Sequence, residues 1–353
     1  MKFSDSNPII KQDLNCIAEN SLEWSLLSGS TILVSGGSGL LGSYLVKSLL
    51  KINDAFDLGL HVICVTRNSK RVQKRLHDFL ESTSLTILLH DITNPLPSDC
   101  PSADVVMHAA SQASPKYYGS DPVGTLLANT SGTENLLNYA VSCKSSRFLF
   151  FSSGEVYGVP FDLSQPIAEQ DYGYLDPIKV RSCYAESKRI GETMCAAWNH
   201  QYGLCANVVR PFHTYGPGMD LDDGRVFADF VSDVVNNRDI ELKSDGLAMR
   251  SFCYISDATL GFLTVLLNGM PGEAYNVANP CTEISMKDLA YTLSNLFPER
   301  GISVRFSVRP AEAPYLQSPA KYSCPSISKI SQLGWNPYIG IKDGFMRTIS
   351  SYL

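Results

Sequence analysis

The chain has 353 residues, a formal net charge of −6, 44% apolar residues and 18% charged residues. These values describe a globular chain able to bury roughly 75% of the surface its unfolded form exposes, and they exclude a disordered or collagen-like one. The mildly acidic balance argues against nucleic acid or an anionic membrane surface as a partner.

No apolar run approaches the ~18 residues of a membrane span. Met1 to Glu23 is polar and shows neither the apolar core nor the cleavage pattern of a signal peptide, so a cytoplasmic protein is expected. The ten cysteines include no C-x-x-C pair. Several, such as Cys64 in HVICVT and Cys253 in SFCYIS, read as small buried hydrophobes of a reducing compartment. No His/Cys cluster has ligand spacing, so no metal is expected.

Residues 1–28 read as an extension with a short amphipathic helix and a turn at Leu27-Ser28-Gly29. Strands and helices then alternate. Thr31 to Ser35, Leu60 to Thr66, Leu85 to His90, Val105 to Ala109, Phe148 to Ser152 and Asn207 to Phe212 read as strands. Leu40 to Leu50, Thr125 to Val141 and Tyr184 to Tyr202 have helical spacing. Short apolar strands alternating with helices predict an α/β fold, a Rossmann-like doubly wound parallel sheet over 29–212. After Phe212 the rhythm changes. Helices near Val226 to Asn236, Asp257 to Leu267, Met286 to Leu296 and Ile341 to Tyr352 mix with strands at Asp239 to Leu242, Ala274 to Val277 and Ile302 to Val308. Residues 213–353 therefore read as a smaller mixed α/β substrate domain, with segments near 250–280 returning to the sheet. No internal repeat is visible.

Gly36, Gly39 and Gly42 stand at G-x-x-G-x-x-G spacing between the first strand and the first helix. Glycine there permits a tight turn and close approach to a pyrophosphate, which the helix N-terminus then faces. Position after a strand and before a helix makes this a dinucleotide site, with Leu40 and Leu41 in the same loop. The second strand ends in Thr66, Arg67, Asn68, with no acid to bind a ribose 2′-hydroxyl. Arg67 is then a 2′-phosphate partner, Asn68 or Arg71 assists, and NADP is favoured over NAD. The other reading is a solvated basic helix face, since Arg67, Arg71 and Arg75 are four apart. Asp91 and Ile92, after the third strand, are expected near the adenine. Tyr184 and Lys188 form Y-x-x-x-K, one helical turn apart on one face. An ammonium beside a phenol of ordinary pKa ~10 favours the phenolate a base needs. Ser153 closes the strand before, at the carboxyl end of the sheet.

The glycine loop, His108-Ala109-Ala110, Ser153 and Y-x-x-x-K occur together in an order that resembles the extended short-chain dehydrogenase/reductase, or NAD-dependent epimerase/dehydratase, family. The likeness runs from about Ser30 to nearly the end of the chain. It implies an enzyme with an NAD(P) cofactor, contacts from Ala109 and Ala110 to that cofactor, and a nucleotide-sugar substrate. It also implies that Ser153 binds the sugar hydroxyl, Tyr184 removes its proton and Lys188 assists and holds the nicotinamide ribose. Glu155 resembles the base that acts at C5 in 4,6-dehydratases and is also present in nucleotide-uronate decarboxylases; on its own it is equally a glutamate on a turn. ASPKYY, RSCYAESKRIGETMC, TYGPGMDLDDGRVFADFV and RSFCYISD are most similar to UDP-glucuronate decarboxylases and neighbouring dehydratases. Three positions depart. Gly154 replaces the aspartate of hexose 4,6-dehydratases or the serine of decarboxylases, and Gly218 and Ser323 stand where decarboxylases carry arginine. The missing arginines would leave a substrate carboxylate poorly paired, which favours dehydration or epimerisation through a 4-keto sugar over decarboxylation. A net NADPH-dependent reductase, which would consume cofactor continuously, and a silent cofactor-sensing module are the other readings. By the same resemblance Arg250 grips the nucleotide diphosphate, Arg225 lies near the nucleotide and Ser111 near the substrate. His213, in place of a frequent asparagine, either touches sugar or phosphate or is a structural histidine. Arg210 and Cys183 read as structural. The resemblance further implies a homodimer through the helices near Thr125 to Val141 and Tyr184 to Tyr202.

Overall fold

The structure, a computed structural model, describes residues 5–162, 164–307 and 321–353. Helix α1 (Pro8–Ala18) begins at Asn7, whose side-chain oxygen accepts from the Ile9 and Ile10 amides, and Pro8 fills the first turn where no N–H is needed. Its Ile10, Leu14 and Ile17 are buried, each contributing about 1.5–3 kcal/mol. The alternating part follows as β1 (Thr31–Ser35), α2 (Leu40–Phe56), β2 (His61–Thr66), α3 (Ser69–Leu76), β3 (Leu85–Leu89), β4 (Val105–His108), α4 (Pro115–Ser120), α5 (Pro122–Asn129), α6 (Ser131–Cys143), β5 (Arg147–Phe151), α7 (Cys183–Tyr202) and β6 (Ala206–Pro211). The remainder comprises β7 (Thr214–Tyr215), α8 (Val226–Val235), β8 (Ile240–Leu242), β9 (Met249–Ser251), β10 (Cys253–Tyr254), α9 (Ile255–Asn268), β11 (Ala274–Val277), β12 (Glu283–Ser285), α10 (Met286–Ser294), β13 (Val304–Phe306), β14 (Tyr322–Ser323), α11 (Ser328–Ser331) and α12 (Ile341–Ser350).

Seven strands form one parallel sheet in the order β11-β6-β5-β4-β1-β2-β3. The central strands are apolar and buried, as strands covered on both faces must be. This is the Rossmann-like architecture expected from the sequence. The strand order reverses between β1 and β4, so a crevice opens beyond their carboxyl ends, the place where open α/β sheets bind ligands. α9 and β11 return to this sheet, β11 pairing with β6. Small sheets β10-β7, β12-β9-β14 and β13-β8 stand over the carboxyl end. Their core is aromatic: Tyr215 stacks on Phe345 at 4.0 Å, and Phe252 meets both Phe227 and Phe345 edge-on.

Two differences from the sequence reading are informative. The single helix expected over Thr125 to Val141 is two, α5 and α6, broken at Thr130, whose φ −112° and ψ −79° leave helical values. There the Asn129 side chain turns to the Thr125 carbonyl and the Ser187 hydroxyl of α7, a local bond that competes with helix continuation. The strand expected at Ile302 to Val308 is the shorter β13, with Val308 outside the described residues. No helix among the described residues is long and apolar enough to cross a membrane.

Candidate active site

Above the switch point lies a cavity of about 860 Å³. Its floor is the glycine loop. Gly36 has φ +69°, and a Cβ there would come within 2.6 Å of the Ala110 backbone. A Cβ on Gly42 would fall on the Gly36 carbonyl oxygen. Both positions therefore admit only glycine, for backbone reasons. α2 starts at Gly39 with no side-chain cap, so its first-turn N–H groups stay available to an anion. This cradle fits a dinucleotide pyrophosphate. Gly39, Leu40, Leu41, Gly42, Arg67, Ala109 and Ser111 all line the cavity. Gly36 and Ala110 support the loop from behind, while Asn68 and Ile92 are not in the wall. The Asn68 side chain caps α3 by accepting from the Arg71 amide at 3.0 Å, and Ile92 is buried against Gly132 of α6. Arg67 donates to Asp91 at 3.3 Å, and both stay partly exposed.

At the opposite wall, Tyr184 occupies the first turn of α7, with Lys188 one turn on and Ser153 just past β5. The Ser153 hydroxyl, which accepts from the Glu155 amide at 3.2 Å, lies close to the Tyr184 phenol. Burial, with the Glu155 charge adding to it, pushes the Tyr184 phenol up to about 12, opposed by the Ser153 hydroxyl and by the Arg225 and Arg181 charges. Burial likewise brings the Lys188 ammonium down to about 7. Lys188 Nζ donates to the Phe151 carbonyl at 2.5 Å and lies 5.8 Å from the centre of the Tyr184 ring. Glu155 also faces the cavity, one turn beyond Ser153.

Arg225 bonds Asp223 through Nε at 2.7 Å and also through Nη2. Arg250 on β9 is held to the Met249 and Lys321 carbonyls. His213 has φ +24°, a strained value for a non-glycine residue, and its buried Nδ1 has no partner. Burial, with Arg250 and Arg225 nearby, brings its imidazole down to about 3, so it is neutral. All three line the cavity. Arg210 instead lies in a buried network with Glu192, Tyr157 and Tyr172, away from the cavity.

Two residues in this wall carry no role in the sequence reading. Tyr118 stacks on Tyr184 with centroids 5.0 Å apart and planes 17° apart. Arg181 lies 4.9 Å over Tyr118 and donates from Nη2 to both Glu155 oxygens, at 3.0 and 2.9 Å. Both sit inside segments that resemble the family, ASPKYY and RSCYAESK, but only the fold brings them together. The Gly154 departure also gains a physical reason: a Cβ there would meet the Phe212 ring at 2.6 Å. Gly218 has φ +80°, a conformation arginine adopts only with strain.

A Rossmann-like sheet with a glycine cradle facing a serine, a tyrosine and a lysine defines a nicotinamide-dependent enzyme class. Residues 32–278 match the NAD dependent epimerase/dehydratase family, and the chain belongs to it. It is 33% identical over 314 residues to UDP-glucuronic acid decarboxylase 3 of Arabidopsis thaliana, covering 89% of this chain and 86% of that one. It is 32% identical to UDP-glucuronic acid decarboxylase 1 of Xenopus tropicalis, over 90% of this chain and 71% of that one. Among solved structures, the UDP-glucuronic acid 4-epimerase of Bacillus cereus has the same fold, with a TM-score of 0.77 and 23% identity over 91% of this chain and 98% of that one. The dTDP-glucose 4,6-dehydratase of Streptomyces venezuelae, solved with NAD, gives 0.77 at 25% identity over 91% and 96%.

Proposed function

We propose that this enzyme remodels a nucleotide-linked sugar through a transient 4-keto form, with dehydration or epimerisation as the outcome at C5. The observation that carries the reading is the meeting of Ser153 and Tyr184 in one cavity with the glycine cradle, with Lys188 buried one turn behind Tyr184. A nicotinamide cofactor, held by the cradle, Ala109 and Lys188, supplies when bound the acceptor for a hydride and returns it later. Ser153 orients the C4 hydroxyl, and Tyr184 takes its proton as phenolate. A phenol raised by burial needs positive charge nearby to ionise; Arg225 and Arg181 supply it, and Lys188, 5.8 Å from the ring centre, adds to it as far as it keeps its proton. Glu155 is placed to take a proton at C5, which a C4 carbonyl acidifies. Arg225, Arg250, His213 and Ser111 bind the nucleotide sugar. A neutral His213 serves as a hydrogen-bonding group rather than a counter-charge.

Decarboxylation of a nucleotide uronate is the second reading, favoured by the curated relatives of 31–33% identity. A panel of UDP-, dTDP-, GDP- and CDP-sugars, read by mass, separates the outcomes. Loss of water is expected, or no mass change with a new NMR spectrum; loss of carbon dioxide would replace this reading with the second. Arg67 supports a preference for NADP, since its exposed pair with Asp91 holds it by only ~0–1 kcal/mol and a 2′-phosphate can compete. Arg67→Ala should lower affinity for NADP about tenfold and leave NAD unchanged by titration calorimetry. A homodimer is supported by exposed Val123, Leu126 and Leu127 on α5 and Ile190 on α7, and sedimentation tests it.

A further inference from the structure

We propose that Arg181 is a positioning residue for the C5 step: it aims the Glu155 carboxylate and, through the Tyr118 ring, ties it to the Tyr184 phenol. The inference rests on the roles just given to Tyr184 and Glu155. Glu155 stands on a single turn, Gly154–Tyr157, and its side chain is one-third exposed. A glutamate there without a partner would spread over several rotamers, most of them in solvent. Arg181, arriving from the segment before α7, removes that freedom. Its Nη2 donates to both carboxylate oxygens, and the guanidinium is itself 13% exposed and lies against the Tyr118 face. Tyr118 is fixed in turn, its hydroxyl donating to the Ala113 carbonyl at 2.9 Å and its ring stacked on Tyr184. Four side chains from three segments therefore form one continuous run of contacts, from the base that acts at C5 to the base that acts on the C4 hydroxyl.

The chemistry needs this registration. In the C5 step the C5–H bond breaks, its electron pair moves toward the C4 carbonyl oxygen, and the proton passes to Glu155. The carboxylate must therefore reach C5 while the sugar is still held where Tyr184 has taken the proton of the C4 hydroxyl. A planar guanidinium stacks face-on on a ring and hydrogen-bonds from its edge, which fixes the direction of the carboxylate; a lysine ammonium is a point charge on a flexible stem and does not fix it.

The test uses cofactor-loaded enzyme in deuterium oxide with UDP-glucose and UDP-glucuronate as probes. C4 oxidation is read from the absorbance of the bound nicotinamide, and the C5 step from deuterium at C5 of the recovered sugar. Arg181→Gln should lower the ratio of C5 exchange to C4 oxidation by about tenfold or more, the scale of one charge-assisted hydrogen bond. Arg181→Lys should not restore it. The Glu155→Gln, Arg181→Gln double variant should be no worse than Glu155→Gln alone. An unchanged ratio, multiplying losses, or restoration by lysine overturns the inference. The lysine variant decides the matter if the glutamine variant does not fold. If the unmodified enzyme oxidises C4 of neither probe and of no other sugar in the nucleotide-sugar panel, the reading of the site itself fails, a result distinct from any change in the ratio.

Discussion

The two walls of the cavity are built on different principles. The cofactor-facing wall is built around backbone: Gly39 and Gly42 shape it by what they lack, Gly36 supports them from behind, and Arg67, Ala109 and Ser111 complete it from just past β2 and β4. The sugar-facing wall is side chain upon side chain, gathered from α4, the turn after β5, the start of α7 and the loop before α8. Two ion pairs tie the walls together, Asp220 receiving Arg71 at 3.2 Å and the buried Arg75 at 2.9 Å. A wall made of backbone is tolerant of most side-chain changes but intolerant of a Cβ. A wall made of stacked side chains should fail one contact at a time, and in one chemical step rather than in binding.

The largest effect should separate the walls outright. Tyr184→Phe keeps the ring and its stack on Tyr118 but removes the proton acceptor. Turnover is expected to fall by about 10³-fold or more, the upper range for loss of a general base, while NAD(P) affinity by titration calorimetry stays near that of the parent. A cofactor affinity that fell in parallel would show that the walls are not independent. Gly42→Val attacks the other wall. Its Cβ would occupy the place of the Gly36 oxygen, so dinucleotide affinity should fall about a hundredfold, roughly 2.8 kcal/mol, by the same measurement.

The same division explains what the sequence makes legible. The cradle can be read directly because a local backbone demand leaves a local residue signature, and strand lengths are read from runs of buried apolar residues. Ser153, Tyr184 and Lys188 are legible through a spacing that one helix and one strand end enforce. Arg181 and Tyr118 are not, because a cation and an aromatic residue on single short turns carry no periodicity, and their meaning lies in partners 26 and 66 residues away. The break at Thr130 is hidden for the same reason: the sequence there is compatible with one helix, and the Asn129 side chain that turns to the Thr125 carbonyl also donates to Ser187 on another element.

Gly154 tests whether the sugar wall is packed as tightly as it looks. The resemblance implies an aspartate of hexose 4,6-dehydratases or a serine of decarboxylases at this position, so a larger side chain is chemically plausible there. In this chain the Phe212 ring takes the space, 2.6 Å from an added Cβ. Gly154→Ser should therefore cost about 1–3 kcal/mol of stability by urea denaturation, and Phe212→Leu in the same chain should recover part of it. Equal losses in the single and double variants would mean that the ring is not the obstacle.

The smallest effect concerns Lys188, buried one turn behind Tyr184. Unfolded, it holds its proton to about 10.5; folded and buried, it does so only to about 7. Between those values unfolding takes up a proton, so the unfolded state binds more protons and stability rises with pH. The group penalises the fold most fully below pH 7, and the penalty fades as pH climbs toward 10.5. From pH 7.5 to 8.5 the contribution is at most about 1.4 kcal/mol. Urea denaturation of the cofactor-free protein should show this rise, and Lys188→Met should flatten it by that amount. A slope unchanged by the substitution would mean that Lys188 keeps its charge in the folded protein, and the ammonium would then stand ready beside Tyr184 before any ligand arrives.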